Sequence, residues 1–92
     1  RPEWAEAHNN LGYALGSLQR WNEAIEAHKQ AINLKKDYAG AYFNLGFAYF
    51  QSGNKKAAME QYKVLQTMNP ELAKRLYILI NKKNPSMVAR TD

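Results

Sequence analysis

AEAHNNLGYA, residues 5–14, returns 34 residues later as AGAYFNLGFA, residues 39–48. The echo continues downstream, where Ala24, Glu26 and Lys29 recur as Ala58, Glu60 and Lys63. A fixed period of this length marks stacked supersecondary units, none of which can bury its apolar face alone. The chain is an array, and its function belongs to a shared surface before it belongs to any catalytic pocket.

Inside each unit the apolar spacing is helical. Leu11, Ala14, Leu15 and Leu18 keep that period, and so do Ala24, Ile25, His28, Ala31 and Ile32. The spacing predicts helix A over 3–17 and helix B over 22–35 in the first unit, with Asn22 as N-cap and Glu23 near the positive helix end. In the second unit it predicts helices over 38–51 and 55–68. Between them Ser52-Gly53-Asn54 supplies the glycine that a left-handed helix terminus prefers, then an asparagine cap. A fifth helix opens at Asn69-Pro70-Glu71, where the asparagine caps and proline loses no needed hydrogen bond. It ends near Asn84-Pro85, because proline cannot continue a helix and biases its predecessor away from one.

These elements give an all-α fold class: an α-solenoid of two antiparallel helix-turn-helix repeats plus a capping helix, five helices in one domain. Repeat 1 covers 5–38, repeat 2 covers 39–72, the capping helix 73–84 and a flexible tail 85–92. In the capping helix Ala73, Leu76 and Leu79 keep the helix A pattern, but Ile80 stands where Gly12 and Gly46 stand. Its polar residues Lys74, Arg75, Lys82 and Lys83 turn to water, as a terminal element requires.

Composition narrows the function classes. A hydrophobic share of 46% is enough for a modest core, while the net charge of +5 comes from basic residues scattered among acids. A scattered charge is a solvated surface, so nucleic acid is not the partner that the balance indicates. The absence of cysteine excludes disulfides and thiolate metal sites. No apolar run approaches the roughly 18 residues of a membrane span. There is no phosphate-binding glycine loop, no nucleophile with a spaced base and no carboxylate pair in a predicted cleft, so no enzyme activity, cofactor or metal is implied.

His8 and His28 fall where Tyr42 and Tyr62 fall in the second unit, positions where helices A and B face each other. Two neighbouring imidazoles invite a metal or pH-switch reading, but two ligands are too few for a tight site. The plainer reading is a packed histidine pair in place of a tyrosine pair. Glu23, Glu26 and Glu60 are expected in helix-surface pairs with Lys29 and Lys63.

The chain resembles the tetratricopeptide repeat family, whose pattern is a large residue, Leu-Gly, an aromatic, Ala, an aromatic and Pro. Unit two supplies Tyr42, Leu45-Gly46, Tyr49, Ala58, Tyr62 and Pro70. Unit one is looser, with His8, Leu11-Gly12, Leu15, Ala24, His28 and Lys36. Gly12 and Gly46, with Ala24 and Ala58, are expected where helices A and B approach closely.

The resemblance implies a non-catalytic protein-protein interaction module that binds a partner peptide or helix in a concave groove lined by the A helices. Carried over by position, the binding residues are Asn10, Tyr13, Phe43, Asn44, Phe47, Lys74 and Tyr77, with Asn9, Ser17, Phe50, Gln51, Ile78 and Asn81 on or near the same face. Asn10 and Asn44 would hold a partner's backbone through amides that donate and accept. Tyr13, Phe43, Phe47 and Tyr77 would grip its side chains. The subtype that clamps a C-terminal carboxylate needs five polar groups. Asn44 and Lys74 match two of them, while Asn9 and Tyr13 stand where a lysine and an asparagine are needed and Tyr77 replaces an arginine, so a carboxylate tail is not the ligand that the resemblance implies.

Pro2-Glu3-Trp4 matches Pro70-Glu71-Leu72 at twice the period, so the chain opens like the end of a preceding repeat. An unshielded first helix would then offer an apolar end to a second copy. Self-assembly as a structural scaffold is accordingly the first alternative to groove binding, and RNA binding the second.

Overall fold

The computed structural model describes residues 2–81, and among them every regular element is an α-helix. The helices are α1 (Pro2–Ser17), α2 (Trp21–Leu34), α3 (Ala39–Gln51), α4 (Lys55–Met68) and α5 (Pro70–Asn81). Each packs on its chain neighbour, and α3 also touches both α1 and α5. Helices α1, α3 and α5 therefore form one layer, with α2 and α4 behind it. Residues 82–92, which include Lys82, Lys83 and the Asn84-Pro85 stop, lie outside the described residues.

Alanine makes the crossings. Ala5, Ala24, Ala31, Ala41 and Ala58 are all fully buried, so backbones meet where larger side chains would hold them apart. One core cluster joins Ala24 and Ile25 of α2 to Leu45 and Ala48 of α3. The other joins Ala58 and Leu65 of α4 to Ala73, Leu76 and Ile80 of α5. Leu65 and Leu76 are its largest fully buried side chains, each contributing roughly 1.5–3 kcal/mol of apolar transfer. Ile80, in the position held by Gly12 and Gly46, is buried in this second cluster. Lys74 and Arg75 stay exposed.

The caps follow the sequence in two places and depart from it in a third. Asn54 Oδ1 accepts from the Ala57 amide at 3.0 Å, and Asn69 Oδ1 accepts from the Leu72 amide at 3.1 Å. Gly53 takes φ 94°, the left-handed conformation expected of it. Asn22, however, is not a cap. Helix α2 begins one residue earlier, at Trp21, and Arg20 holds the cap position without a side-chain hydrogen bond to the helix. The Arg20 guanidinium instead makes two 2.7 Å bonds to Glu23, which displaces the expected pairing of Glu23 with a lysine. Glu26 does meet Lys29, at 3.7 Å. Asn54→Ala is expected to cost about 1 kcal/mol and Asn22→Ala close to nothing, a contrast that urea denaturation measures directly.

Candidate functional site

Glycine builds the floor of the main hollow. A Cβ on Gly12 would lie 2.5 Å from the His28 ring, and one on Gly16 would lie 2.9 Å from the Trp21 ring. The two glycines sit four residues apart on one face of α1, so two flat rings from α2 can lie directly on its backbone. Gly46 admits a different neighbour. Its Cβ would meet Leu76 of α5 at 2.6 Å and Gln61 of α4 at 3.3 Å, so the second glycine receives the capping helix as well as its own B helix.

Above this floor Tyr13, Phe43, Asn44 and Phe47 wall a hollow of about 350 Å³, closed at one end by Leu79. Trp21 meets Phe47 edge to face, with centroids 5.8 Å apart and planes at 83°. Such pairs contribute roughly 0.5–1.5 kcal/mol beyond burial and hold the rings in place. Ser17 at the rim donates to the Tyr13 carbonyl at 3.1 Å. No Lys, Arg, Asp or Glu among the described residues lines the hollow.

A buried polar network lies beneath it, with Asn9 at the centre. Asn9 Oδ1 accepts from His28 Nδ1 at 2.8 Å and from Asn44 Nδ2 at 3.1 Å, while Asn9 Nδ2 donates to the Tyr38 hydroxyl at 3.2 Å. Because an amide oxygen only accepts, His28 carries its proton on Nδ1. Burial disfavours the charged imidazolium and pushes the His28 pKa down from 6.5 to about 4. Three helices and the α2–α3 link thus converge on one side chain.

The seven positions carried over from the family do not all share one place. Tyr13, Phe43, Asn44 and Phe47 come together in the hollow. Lys74 and Tyr77 line a second recess of about 350 Å³ with Tyr62 and Gln66, where the Tyr62 and Tyr77 rings meet at 5.2 Å with their planes tilted by 48°. Asn10 is exposed and lines neither. Asn9, grouped by its sequence position with the groove, turns inward. Trp21, His28 and Leu79 enter the site without having been expected there. The signal for Trp21 and His28 was the Gly12–Gly16 spacing, which on a helix marks a stripe open to a neighbour's rings.

The two histidines also part company. His28 lies under the inner hollow, whereas His8 lines an outer one of about 520 Å³ with Leu11, Leu15, Glu23 and Glu26. His28 lies on Gly12 and is held by Asn9. No group of three or more His, Cys, Asp or Glu side chains among the described residues could hold a metal ion.

Comparison with known proteins agrees with this architecture. The family model described as "TPR repeat" matches residues 17–53, and that described as "Tetratricopeptide repeat" matches residues 39–72. Protein O-mannosyl-transferase TMTC3 of Homo sapiens is 29% identical over 68 residues, 74% of this chain and 7% of that protein. Cell division cycle protein 16 homolog of Homo sapiens is 30% identical over 60 residues, 65% of this chain and 10% of that protein. The peroxisomal targeting signal receptor of Candida albicans is 37% identical over 60 residues, with the same coverage of 65% and 10%. The chain therefore spans a tenth or less of the length of these relatives. No solved structure matches it.

Proposed function

We propose that this chain, which belongs to the tetratricopeptide repeat family, binds an extended or helical segment of a partner protein in the hollow between α1, α3 and α5. The observation that carries the reading is the aromatic, uncharged lining over a rigid floor. Flat apolar walls with few convergent polar groups suit a partner's large apolar side chain, and the Asn44 amide supplies a hydrogen-bonding group beside it. The role is one of recognition without catalysis, and the relative named as a targeting-signal receptor supports it.

Tyr13 is the position that tests this. It is 68% exposed on the wall of the hollow, while Asn44 and Phe47 also hold α3 in place through Asn9 and Trp21. Peptides selected from a displayed library by the wild-type chain should bind Tyr13→Ala about tenfold more weakly by calorimetric titration, a loss of about 1.4 kcal/mol. Unchanged affinity would move the binding surface elsewhere. Binding that instead collapses with added salt and spares Tyr13→Ala would favour a nucleic-acid reading.

A further inference from the structure

The hollow is walled by rings that no cation of the chain meets. Tyr13 comes from α1, Trp21 from α2, and Phe43 and Phe47 from α3, and the near-perpendicular Trp21–Phe47 pair makes a corner. Tyr13 is exposed and the other three are half-buried, so each keeps accessible ring surface. Elsewhere the chain brings its own cation to such rings. Lys35 Nζ lies 5.1 Å from the Tyr38 ring centroid, and Lys74 shares the second recess with Tyr62 and Tyr77.

The polar atoms around the hollow lean toward accepting. Ser17 Oγ gives its proton to the Tyr13 carbonyl and keeps its lone pairs. Asn44 spends an amide hydrogen on Asn9, and no donor among the described residues meets its Oδ1. His28, with its proton on Nδ1, leaves Nε2 as a further acceptor. Donors are fewer: the second Asn44 amide hydrogen and the Tyr13 hydroxyl. A carboxylate would face negative ring centres with no cation to pair it, and a wholly apolar side chain would cover the acceptors without satisfying them. The wider charge distribution agrees. Residues 2–34 carry Glu3, Glu6, Glu23 and Glu26 against Arg20 and Lys29, a net-negative stretch in a chain whose total is +5.

We infer that the hollow takes an arginine side chain of the partner, its guanidinium stacked on the ring faces and its N–H groups donating to Asn44 Oδ1 and Ser17 Oγ. This rests on the reading of the hollow as the binding surface, and narrows the side chain it selects to one with an apolar stem and a cationic end. Arginine suits the site better than lysine. Its planar, weakly hydrated guanidinium stacks on aromatic faces and presents a fork of donors, whereas an ammonium is a compact, strongly hydrated point charge. The methylene stem lies along apolar surface while the head finds the acceptors.

Blocked single residues test this on the full chain: the N-acetyl methylamides of arginine, citrulline and norleucine, each titrated into isotope-labelled protein and followed by NMR. Citrulline keeps the shape of arginine without its charge, and norleucine keeps the stem alone. The arginine probe should shift the Gly12, Gly16 and Phe47 amides saturably at millimolar concentration, and the other two should bind about fivefold more weakly. Tyr13→Leu, which keeps apolar bulk without a ring, should weaken the arginine probe about threefold, and Tyr13→Phe should restore it. Citrulline or norleucine binding as tightly as arginine would overturn the inference while leaving the hollow a binding surface for an uncharged side chain. Arginine binding indifferent to Tyr13→Leu, or no saturable shift at all, would overturn it too, whereas the groove reading itself stands or falls with Tyr13→Ala and the selected peptides.

Discussion

Gly12→Val is expected to destabilise the fold by about 3 kcal/mol and to lower its melting temperature by roughly 15 °C. The cause is local. A Cβ at this position meets the His28 ring at 2.5–2.7 Å across three of its atoms, and a planar ring seated on Asn9 cannot rotate clear as an aliphatic tip could. Either α1 and α2 part, opening the voids that the alanine crossings prevent, or His28 moves and leaves Asn9 without its bond. Overpacking alone costs roughly 1–3 kcal/mol, and an orphaned buried polar group costs about as much again. Gly40→Ala is the control. The nearest atom to its Cβ is a Tyr38 ring carbon at 3.5 Å, an ordinary contact, so that variant should melt no lower than the wild type. Thermal unfolding followed by circular dichroism separates the two, and equal behaviour would show that the His28 contact does not limit the packing.

The second large effect is on pH dependence. His28 in the folded chain takes up its proton only near pH 4, whereas the unfolded chain takes it up near the ordinary 6.5. On acidification the unfolded state therefore gains the proton first and is favoured by it. The stability is complete above about pH 6.5 and declines as the pH falls toward 4, by up to about 3 kcal/mol. The comparison that isolates the imidazole from every other group is His28→Gln, which can still hydrogen-bond Asn9 and cannot titrate. Urea midpoints measured from near-neutral to mildly acidic pH should fall steeply for the wild type and less steeply for the variant. Parallel curves would mean that His28 is hydrated enough to accept its charge.

Why the fold was legible and the site only partly so follows from the range of the forces involved. A 34-residue echo, helical periodicity, and asparagine at two helix starts are local signals, and the helices lie within a residue or so of where these placed them over residues 2–81. Asn22 is not a cap because α2 starts one residue earlier, at Trp21, which places Asn22 inside the first turn. Tyr13, Phe43, Asn44 and Phe47 share a face by register alone. What register could not tell is which way an amide turns. Asn9 and Asn10 are adjacent in sequence, yet one is the buried centre of a network and the other is solvent-exposed. His28 was read by analogy with Tyr62, but the glycine beneath it, and not its partner in the alignment, decides its surroundings.

The polar joint at Asn9 has a thermodynamic consequence. In a stack of repeats the stability is a sum of weak units and the couplings between them, and where coupling is poor the end units fray first. Here a single amide belongs at once to α1, to α2 through His28, to α3 through Asn44 and to the link between the repeats through Tyr38. Freeing the first hairpin would strand groups of the second. The two hairpins are therefore expected to melt together in a single calorimetric transition.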